Sequence, residues 1–272
     1  VHVEAQHFLD LTRVVAFATP QRDERSPAAE QQQGGHVRMS ESKGKRAFLD
    51  LDINGNRAAY ARACAFVEAT DLRHGWSSKD IKDLGGSEMS RLQEAYESDY
   101  DWKDKGRIIM TLPKERVVIE LYEKDCPVAT KNFKALCTGE KGKSGKSGNK
   151  LHYKGVRFHR IVKGFVCQGG DISKQTGAGG ESIYGKKFKD EKNGLKKKFS
   201  EKGLIGMCNN GKNSNNSQFF FNFAPAPQLN GKHVILGKIV EGLDVIEMVE
   251  AECATEDGTP KLEVVVADCG LL

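Results

Sequence analysis

The pattern of apolar and polar positions predicts a strand near residue 50. Between residues 47 and 53, alanine, leucine and isoleucine alternate with phenylalanine or aspartate, and Asn54-Gly55 follows. A period of two is typical of a strand with one buried face, and an Asn-Gly pair is a turn signal. Apolar runs at residues 116–122 and 262–266 predict two further strands, the second of them the closing strand of the fold.

Two segments between the first two predicted strands have helical spacing. Residues 58–69 are rich in alanine, residues 87–96 begin with serine, and a stretch rich in glycine and serine separates them. Their apolar stripes contain Tyr60, Ala63, Cys64, Val67, Met89, Leu92 and Tyr96. Apolar residues spaced three and four apart form one face of a helix. We therefore predict two short helices here.

Two more helices are predicted in the second half of the chain. The first follows Cys126-Pro127, carries Val128, Phe133 and Leu136 at helical spacing, and ends near Gly139. Proline is favoured at the start of a helix and glycine just after its end. Residues 244–249 predict the other helix, and strands and turns dominate between the two.

The first 45 residues change character twice. A weakly amphipathic opening gives way to a polar stretch that contains proline, three consecutive glutamines and a Gly-Gly pair, which favours an extension and linker. Residues 1–38 contain arginine but no lysine, so a processed organellar presequence is one alternative, although its acidic residues weaken it. A natural start at Met39 is another.

Composition indicates a protein with a substantial core and no membrane span. The chain has 272 residues, of which 38% are hydrophobic, and no apolar run has the roughly 18 residues that a spanning helix requires. The net charge of +5 comes mainly from lysines between residues 186 and 202. We interpret them as a solvated face; the alternative is a patch for an acidic partner or RNA.

The seven cysteines favour a reducing compartment. They are scattered, odd in number and form no C-x-x-C pair, so structural zinc and a fully paired secreted scaffold are not indicated. A cytoplasmic location is the first expectation, an organelle is the alternative if residues 1–38 belong to a precursor, and secretion is not expected.

Four blocks of sequence carry the strongest functional signal. They are FHRIVKGFVCQGGD at 158–171, GESIYG at 180–185, NSQFF at 216–220 and LNGKHV at 229–234. In this order they resemble the cyclophilins, a family of peptidyl-prolyl cis/trans isomerases, over roughly the last three-fifths of the chain. The resemblance implies a mainly β fold: a closed eight-stranded antiparallel barrel capped by two helices, here with a helical insertion and an irregular N-terminal extension.

The resemblance also implies a division of the chain. We expect an extension at 1–45, a cyclophilin-like domain formed by 46–57 and 107–272, and a helical insertion at 58–106. Residues 58–105 hold seven basic and ten acidic residues, a net charge of −3. The apolar stripe of the insertion either docks on the barrel or binds a partner. An alternative division starts the domain at Arg107, with residues 108–112 as its first strand.

Isomerisation of an X-Pro bond requires the loss of amide resonance, a barrier of about 18 to 20 kcal/mol, but no covalent step. A site for this reaction therefore needs no cofactor, metal or nucleophile. It needs a donor aimed at the prolyl nitrogen, groups that hold the flanking carbonyls, and an apolar socket. Arg160 suits the first role because a guanidinium is always charged and forked. By resemblance, Arg160 is the catalytic residue.

The resemblance assigns the remaining site residues. The substrate-binding set is His159, Phe165, Val166, Gln168, Cys208, Asn209, Asn210, Gln218, Phe220, Gln228, Leu229 and His233. Among them, Phe165, Val166, Phe220 and Leu229 line the proline pocket of the family, and Gln168 and Asn209 bind the substrate backbone. Cys208 and Asn210 stand where the family usually has alanine, and Gln228 stands where cyclosporin-sensitive members commonly have tryptophan. We therefore expect activity with reduced cyclosporin affinity.

A further resemblance concerns residues 143–150, which are similar to the extra loop of the divergent-loop cyclophilins. Those proteins tend to carry cysteines matching Cys137 and Cys269 and a glutamate matching Glu181, so a redox pair of Cys137 and Cys269 is a hypothesis; its alternative is two buried thiols that never approach. The loop lacks the glycine spacing of a phosphate-binding loop, so nucleotide binding is not indicated.

Two functions remain open from the sequence. The first is an isomerase acting on X-Pro bonds in peptides and client proteins, as a folding catalyst or conformational switch. The alternative is a proline-binding scaffold subunit of a larger assembly, anchored through the insertion and the extension. Nucleic acid is a weak third partner because the lysines are not interleaved with aromatic residues.

Overall fold

Eight strands form one antiparallel sheet in the computed structural model, which describes residues 46–272. The predicted extension at 1–45, with its presequence and Met39 alternatives, lies outside the described residues. The strands are β1 Arg46–Ile53, β2 Arg116–Leu121, β3 Arg160–Val162, β4 Val166–Gly169, β5 Leu204–Met207, β6 Phe219–Asn222, β7 Ile235–Glu241 and β8 Val264–Leu271. Their order in the sheet is β3-β4-β6-β5-β7-β2-β1-β8, and every neighbouring pair is antiparallel.

The mainly β fold is confirmed, but the sheet is a curled half barrel that is not closed. Its edge strands β3 and β8 share no ladder. The segment before β3 links the two edges. Arg157 forms a bridge with Val265, the Phe158 and Gly155 N–H groups donate to the Val264 and Val266 carbonyls at 2.8 Å, and the Val266 N–H donates to the Val156 carbonyl at 2.9 Å. The three residues of β3 itself form no ladder with β8.

Five α-helices accompany the sheet between residues 46 and 272. They are α1 Asn56–His74, α2 Gly86–Ser98, α3 Pro127–Thr138, α4 Lys192–Lys196 and α5 Leu243–Cys253; Ile81–Asp83 and Pro227–Leu229 are single 3-10 turns. The predicted third helix is confirmed, with Pro127 at its first position and Gly139 ending it at φ 68°. None of the helices described is long and apolar enough to cross a membrane.

The main core fills the inner face of the curled sheet. The alternation predicted for β1 is confirmed, because Ala47, Leu49, Leu51 and Ile53 are all at most 2% exposed. Helices α3 and α5 complete this core with side chains such as Phe133 and Val249, in agreement with two covering helices. Burial of these side chains, each contributing about 1.5 to 3 kcal/mol, holds the sheet in its curled form.

The segment between β1 and β2 has a core of its own. Phe66, Trp76, Leu92 and Tyr96 form its centre, and the Phe66 and Tyr96 rings meet edge to face at 5.2 Å. The interpretation that its apolar stripe docks on the barrel is therefore wrong. The stripe packs inside the segment because residues after α1, among them Trp76, supply the opposing face.

Ion pairs join this segment to the sheet. Arg57, in the first turn of α1, donates to Glu115 at 2.7 Å and to Asp50 of β1 at 3.2 Å. Arg116 donates two bonds to the same Asp50, at 2.8 and 3.0 Å. The alternative first strand at 108–112 is wrong, because β1 pairs with both β2 and β8 whereas residues 108–112 lie in no strand.

Candidate active site

A row of side chains across three strands forms the centre of the candidate site. Gln168 of β4 lies opposite Arg160 of β3 on one side and opposite Phe220 of β6 on the other. Successive residues of a strand point to opposite faces of a sheet. The neighbouring residues Cys167 and Phe221 enter the inner core, so Arg160, Gln168 and Phe220 share the outer face.

Arg160 is partly exposed, and its guanidinium makes no hydrogen bond or ion pair with any residue of the described chain. Its aliphatic part lies beside the backbone of Gly258, where an added Cβ would be 2.9 Å from Arg160 Cγ. Gly258 also fixes the strand, because its carbonyl accepts from the Ile161 N–H at 2.8 Å. The guanidinium therefore keeps its donors available on the surface of the row.

An apolar cluster lies beside this row on the outer face. It consists of Val166, Phe199, Leu204, Phe220, Ala226 and Ile235, with Tyr122, Phe165, Cys208 and Leu229 partly buried against it. The Phe220 ring stacks on Phe199 at 5.4 Å and 27°. Gly206 lies opposite Phe220 in the ladder, and a Cβ there would be 2.5 Å from the ring. We call this set the outer apolar cluster.

Polar groups border the outer apolar cluster near the end of β5. The Cys208 N–H donates to the Gln218 carbonyl at 3.0 Å. Burial raises the pKa of the Cys208 thiol to about 12, although the nearby Arg160 guanidinium acts in the opposite direction. His233 meets the Phe220 ring edge on at 5.3 Å, and its Nδ1 donates to the Met207 carbonyl at 2.9 Å. The Nε2 atom of a neutral His233 is then an acceptor.

Asn209 and Gln218 are engaged with the protein itself. Asn209 Nδ2 donates to the Lys232 carbonyl at 2.8 Å. Gln218 is buried, and its Nε2 donates to the carbonyls of Gly177 and Gly179 at 2.9 and 2.8 Å. Gln218 therefore fixes the loop at residues 177–179 with its amide nitrogen, and only its amide oxygen remains for another partner.

The same loop holds His159. A Cβ at Gly177 would lie 2.6 Å from the His159 ring, so only glycine allows this approach at φ 86°. Burial lowers the pKa of His159, which keeps the imidazole neutral near pH 7, and its Nδ1 has no partner among the described atoms. His159 thus packs against the loop that Gln218 fixes, whereas its neighbour Arg160 lies in the row.

Two predicted residues are exposed at the border of the site, and one of them, Asn210, lines a small cleft with Cys208 and Asn209. Gln228 is exposed in the 3-10 turn Pro227–Leu229, directly before Leu229 of the outer apolar cluster. Asn210 is also exposed, and its N–H donates to Ser214 Oγ at 2.8 Å. The other ten predicted binding residues lie in the cluster, the row or the loop that borders them.

Three residues that support the site were not singled out from the sequence. Phe199 and Gly258 contact Phe220 and Arg160, and neither lies in a block with a functional signal. Asp171 is fully buried and accepts bonds from five backbone N–H groups, of Ser173, Lys174, Thr176, Gly177 and Gly179. Burial opposes its ionisation, yet these donors lower the pKa of Asp171 to about 2. The sequence signal that could have identified Asp171 is its position directly after Gly169-Gly170.

Residues 143–150 are tied to Glu181. The Ser144 and Ser147 hydroxyls donate to its two carboxylate oxygens, and Asn149 Nδ2 lies 3.4 Å from one of them. Just after this loop, His152 joins the two cysteines of the redox hypothesis: its Nε2 donates to the Cys137 carbonyl at 3.2 Å and lies 3.5 Å from Cys269 Sγ. Both cysteines are free thiols.

Comparison with known proteins gives the family. The family model described as cyclophilin type peptidyl-prolyl cis-trans isomerase/CLD matches residues 107–271. A peptidyl-prolyl cis-trans isomerase, cyp11 of Rhizopus delemar, is 50% identical over 157 residues, which are 58% of this chain and 46% of the relative. The chain thus spans about half the length of the curated relative it matches. It belongs to the cyclophilin-type peptidyl-prolyl cis-trans isomerase family.

Proposed function

We propose that the chain is an active peptidyl-prolyl cis/trans isomerase. The observation that carries the proposal is the row of Arg160, Gln168 and Phe220 on one face of the sheet. As the X-Pro bond twists, the prolyl nitrogen loses resonance and becomes a better acceptor. The unpaired guanidinium of Arg160 donates to that nitrogen and stabilises the twisted amide more than the planar one.

The other residues bind the substrate in this proposal. The proline ring packs on Phe220, within the pocket that Phe165, Val166 and Leu229 complete. Gln168 and Asn209 hold the backbone on either side of the proline, and His233 borders the ring. Cys208 and Asn210 shape the rim, Gln218 holds the adjoining loop, and His159 packs against that loop. No cofactor enters the reaction, since only a torsion changes.

The test is the rate of cis/trans exchange of an Ala-Pro peptide, measured by NMR with the protein and with Arg160→Ala. We expect wild-type protein to accelerate exchange and the variant to lose about 100-fold in kcat/KM. Lys124→Ala, at an exposed site outside the row, is the matched control for loss of a cation and should behave as wild type. A folded protein without acceleration, or an unaffected Arg160→Ala, would refute the proposal.

A specific observation favours a second role alongside catalysis. Residues 58–106 lie within a segment that has its own hydrophobic core, separate from the core of the sheet. We propose that this insertion is a separate element of the cyclophilin-like domain formed by 46–57 and 107–272, and that it attaches the domain to a larger assembly. Deletion of residues 58–105 with a short linker should leave exchange activity intact but abolish any stoichiometric co-purification.

Three finer points complete the proposal. Gln228 supplies no aromatic surface, so we expect cyclosporin to bind more weakly than to members with tryptophan there.

The loop at 143–150 and the pair Cys137 and Cys269 act together as a divergent-loop redox element. The seven free thiols favour a reducing compartment such as the cytoplasm. Inhibition by cyclosporin at concentrations typical of tryptophan-containing members would contradict the reduced affinity expected from Gln228.

A further inference from the structure

A cavity of about 270 Å³ lies next to the loop that Gln218 holds. Gly180, Glu181, Lys186, Lys187 and Asn216 are among its lining residues. The two lysines are exposed, so their ammonium groups are at the mouth of the cavity and accessible to a ligand. The cavity lies outside the outer apolar cluster and holds none of the residues to which a role in isomerisation was given above.

Asn216 lies between the cavity and the proposed substrate groove and lines both. Asn216 Nδ2 donates to the Gly179 carbonyl at 3.2 Å, and the same carbonyl accepts from Gln218 at 2.8 Å. Asn216 also lines a smaller cleft with Cys208 and Asn209. A peptide whose proline lies on Phe220 can therefore place a neighbouring residue in the cavity.

The carboxylate in the cavity is already satisfied. Glu181 is its only acidic lining residue, and both of its oxygens accept from the hydroxyls of Ser144 and Ser147. It forms no ion pair with a lysine in the described part of the chain. Its charge acts on Lys146 of the loop, and it pairs with neither Lys186 nor Lys187.

The lysines around the cavity have no carboxylate partner. The lysines that do form ion pairs within residues 46–272 are Lys79, Lys114, Lys134, Lys154, Lys197 and Lys202. Lys186 and Lys187 are not among them, and neither are Lys143, Lys146 and Lys150 of the adjoining loop. Like charges held together without counter-charges create a positive potential that attracts anions.

The backbone of the two lysines is fixed on both sides. Ser182 is buried, its Oγ donates to the Lys186 carbonyl, and it accepts from the Tyr184 N–H at 3.2 Å. After the lysines, the buried Phe188 donates its N–H to the Asn215 carbonyl at 2.9 Å. Because the backbone is already fixed, a bound anion has to order only the two lysine side chains.

We propose that Lys186 and Lys187 select client segments that carry an anionic side chain close to the X-Pro bond. The chemistry is that of a carboxylate or phosphate group contacting two unpaired ammonium groups. The inference rests on the proposed isomerase function, because it names the class of substrate that the groove prefers.

The test uses peptides that contain Ala-Pro and differ at one flanking position. Glu or phosphoserine is placed at each position in turn, with Gln or Ser as the uncharged match, and kcat/KM is measured by NMR exchange at low salt. At one position we expect the anionic peptide to be preferred about fivefold, the effect of one or two exposed ion pairs. The preference should fall in 0.5 M salt, because screening then limits electrostatic interactions to distances of a few ångströms.

The variant is Lys186→Gln with Lys187→Gln, and the matched control is Lys103→Gln with Lys124→Gln, two exposed lysines elsewhere. The ratio of kcat/KM for the anionic and neutral peptides should fall to about one in the variant and persist in the control. Equal rates for both peptides with wild-type protein would overturn the inference while the isomerase function stands.

If neither peptide is turned over, the isomerase proposal fails, and the inference is then decided by binding. Fluorescence anisotropy of the labelled peptides should still show the anionic preference and its loss in the variant. Absence of the preference would overturn the inference. Tighter binding of a single-stranded RNA oligonucleotide, abolished by the same variant, would also overturn it in favour of a nucleic-acid surface.

Discussion

Gly258 and Arg160 lie in direct contact at the edge of the sheet. Gly258 has φ 90°, and a Cβ added there would lie 2.9 Å from Arg160 Cγ and 2.9 Å from Val162 Cγ2. Real side chains essentially never approach this closely, and the neighbours are the proposed catalytic arginine and a strand residue. The glycine thus sets where the arginine side chain leaves the sheet.

We expect Gly258→Ala to lower isomerase activity by about tenfold in kcat/KM, because a displacement of about 1 Å at a catalytic group is costly. The added methyl group pushes Arg160 from its place while leaving its charge unchanged. NMR exchange on an Ala-Pro peptide measures the effect, and chemical shifts of the β3 amides report whether the strand is retained.

Gly155→Ala is the matched control for this change. Gly155 has a similar φ of 85°, but nothing lies within 4 Å of its added Cβ. Both substitutions carry a backbone cost of about 1 to 2 kcal/mol, so both should lower the free energy of unfolding, and only Gly258→Ala should lower kcat/KM strongly. Equal activity in the two variants would show that Gly258 does not position Arg160.

Phe199 supports the proposed proline pocket from below, because its ring stacks on Phe220. We expect Phe199→Leu to raise KM severalfold with a smaller change in kcat, since the Phe220 ring loses its stacked partner while Arg160 is untouched. Stability should fall by about 1 to 2 kcal/mol. Steady-state exchange kinetics and denaturant unfolding check both effects.

Phe66→Leu provides the comparison, since Phe66 is equally buried but belongs to the core between α1 and α2. It should destabilise the insertion and leave KM as in wild type. If Phe66→Leu raises KM as much as Phe199→Leu does, the change in KM reflects general loss of stability rather than loss of the pocket.

The sequence was sufficient for elements whose signal is local. Strand β1 was predicted from apolar residues at every second position, and helix α2 from apolar residues three to four positions apart. Both are short-range patterns. Helix α1 was predicted too short: it continues to His74, past a kink at Thr70 whose Oγ1 donates to the Phe66 carbonyl. The residues after Ala69 have a weak helical signal, so the local pattern did not extend the helix past the kink.

Features that depend on long-range contacts were not predictable in this way. Trp76 closes the core of the insertion, yet it lies in a stretch read as a glycine- and serine-rich separator. The opening between β3 and β8 is a relation between strands far apart in the sequence, which no local pattern fixes. The row at Arg160 was found only through family resemblance, because a single arginine or glutamine carries no signal of its own.

Cys137 and Cys269 approach the same side chain, His152, in keeping with the proposed redox pair. Burial raises the pKa of Cys269 to about 12 and that of Cys137 well above its ordinary value. The reacting species is the thiolate, so we expect diamide to join the two sulfurs slowly at pH 7 and faster as the pH rises. Each disulfide formed transfers two electrons and two protons to one diamide.

Peptide mapping after oxidation identifies the linked cysteines, with Cys269→Ser as the variant that cannot form the pair. Cys253→Ser removes another buried thiol with a raised pKa, and should leave the linkage unchanged. A disulfide between other cysteines, or none after prolonged oxidation at high pH, would contradict the redox pair.

Asp171 anchors the loop beside the site and should make stability depend on pH. Its pKa is lowered in the folded protein to about 2 from the ordinary 3.8, so its contribution is complete above about pH 4 and is lost as the pH falls through 2. We expect Asp171→Asn to lower the free energy of unfolding by about 2 kcal/mol at pH 7. This difference from wild type should shrink between pH 4 and pH 2, which urea titrations measure.

The control is Asp257→Asn, at an exposed carboxylate in a turn, which should change stability far less. The loss in the free energy of unfolding caused by Asp171→Asn could instead stay constant from pH 7 to pH 2. The loop would then be held by the shape of the side chain and not by the negative charge of the carboxylate that accepts from the five backbone N–H groups.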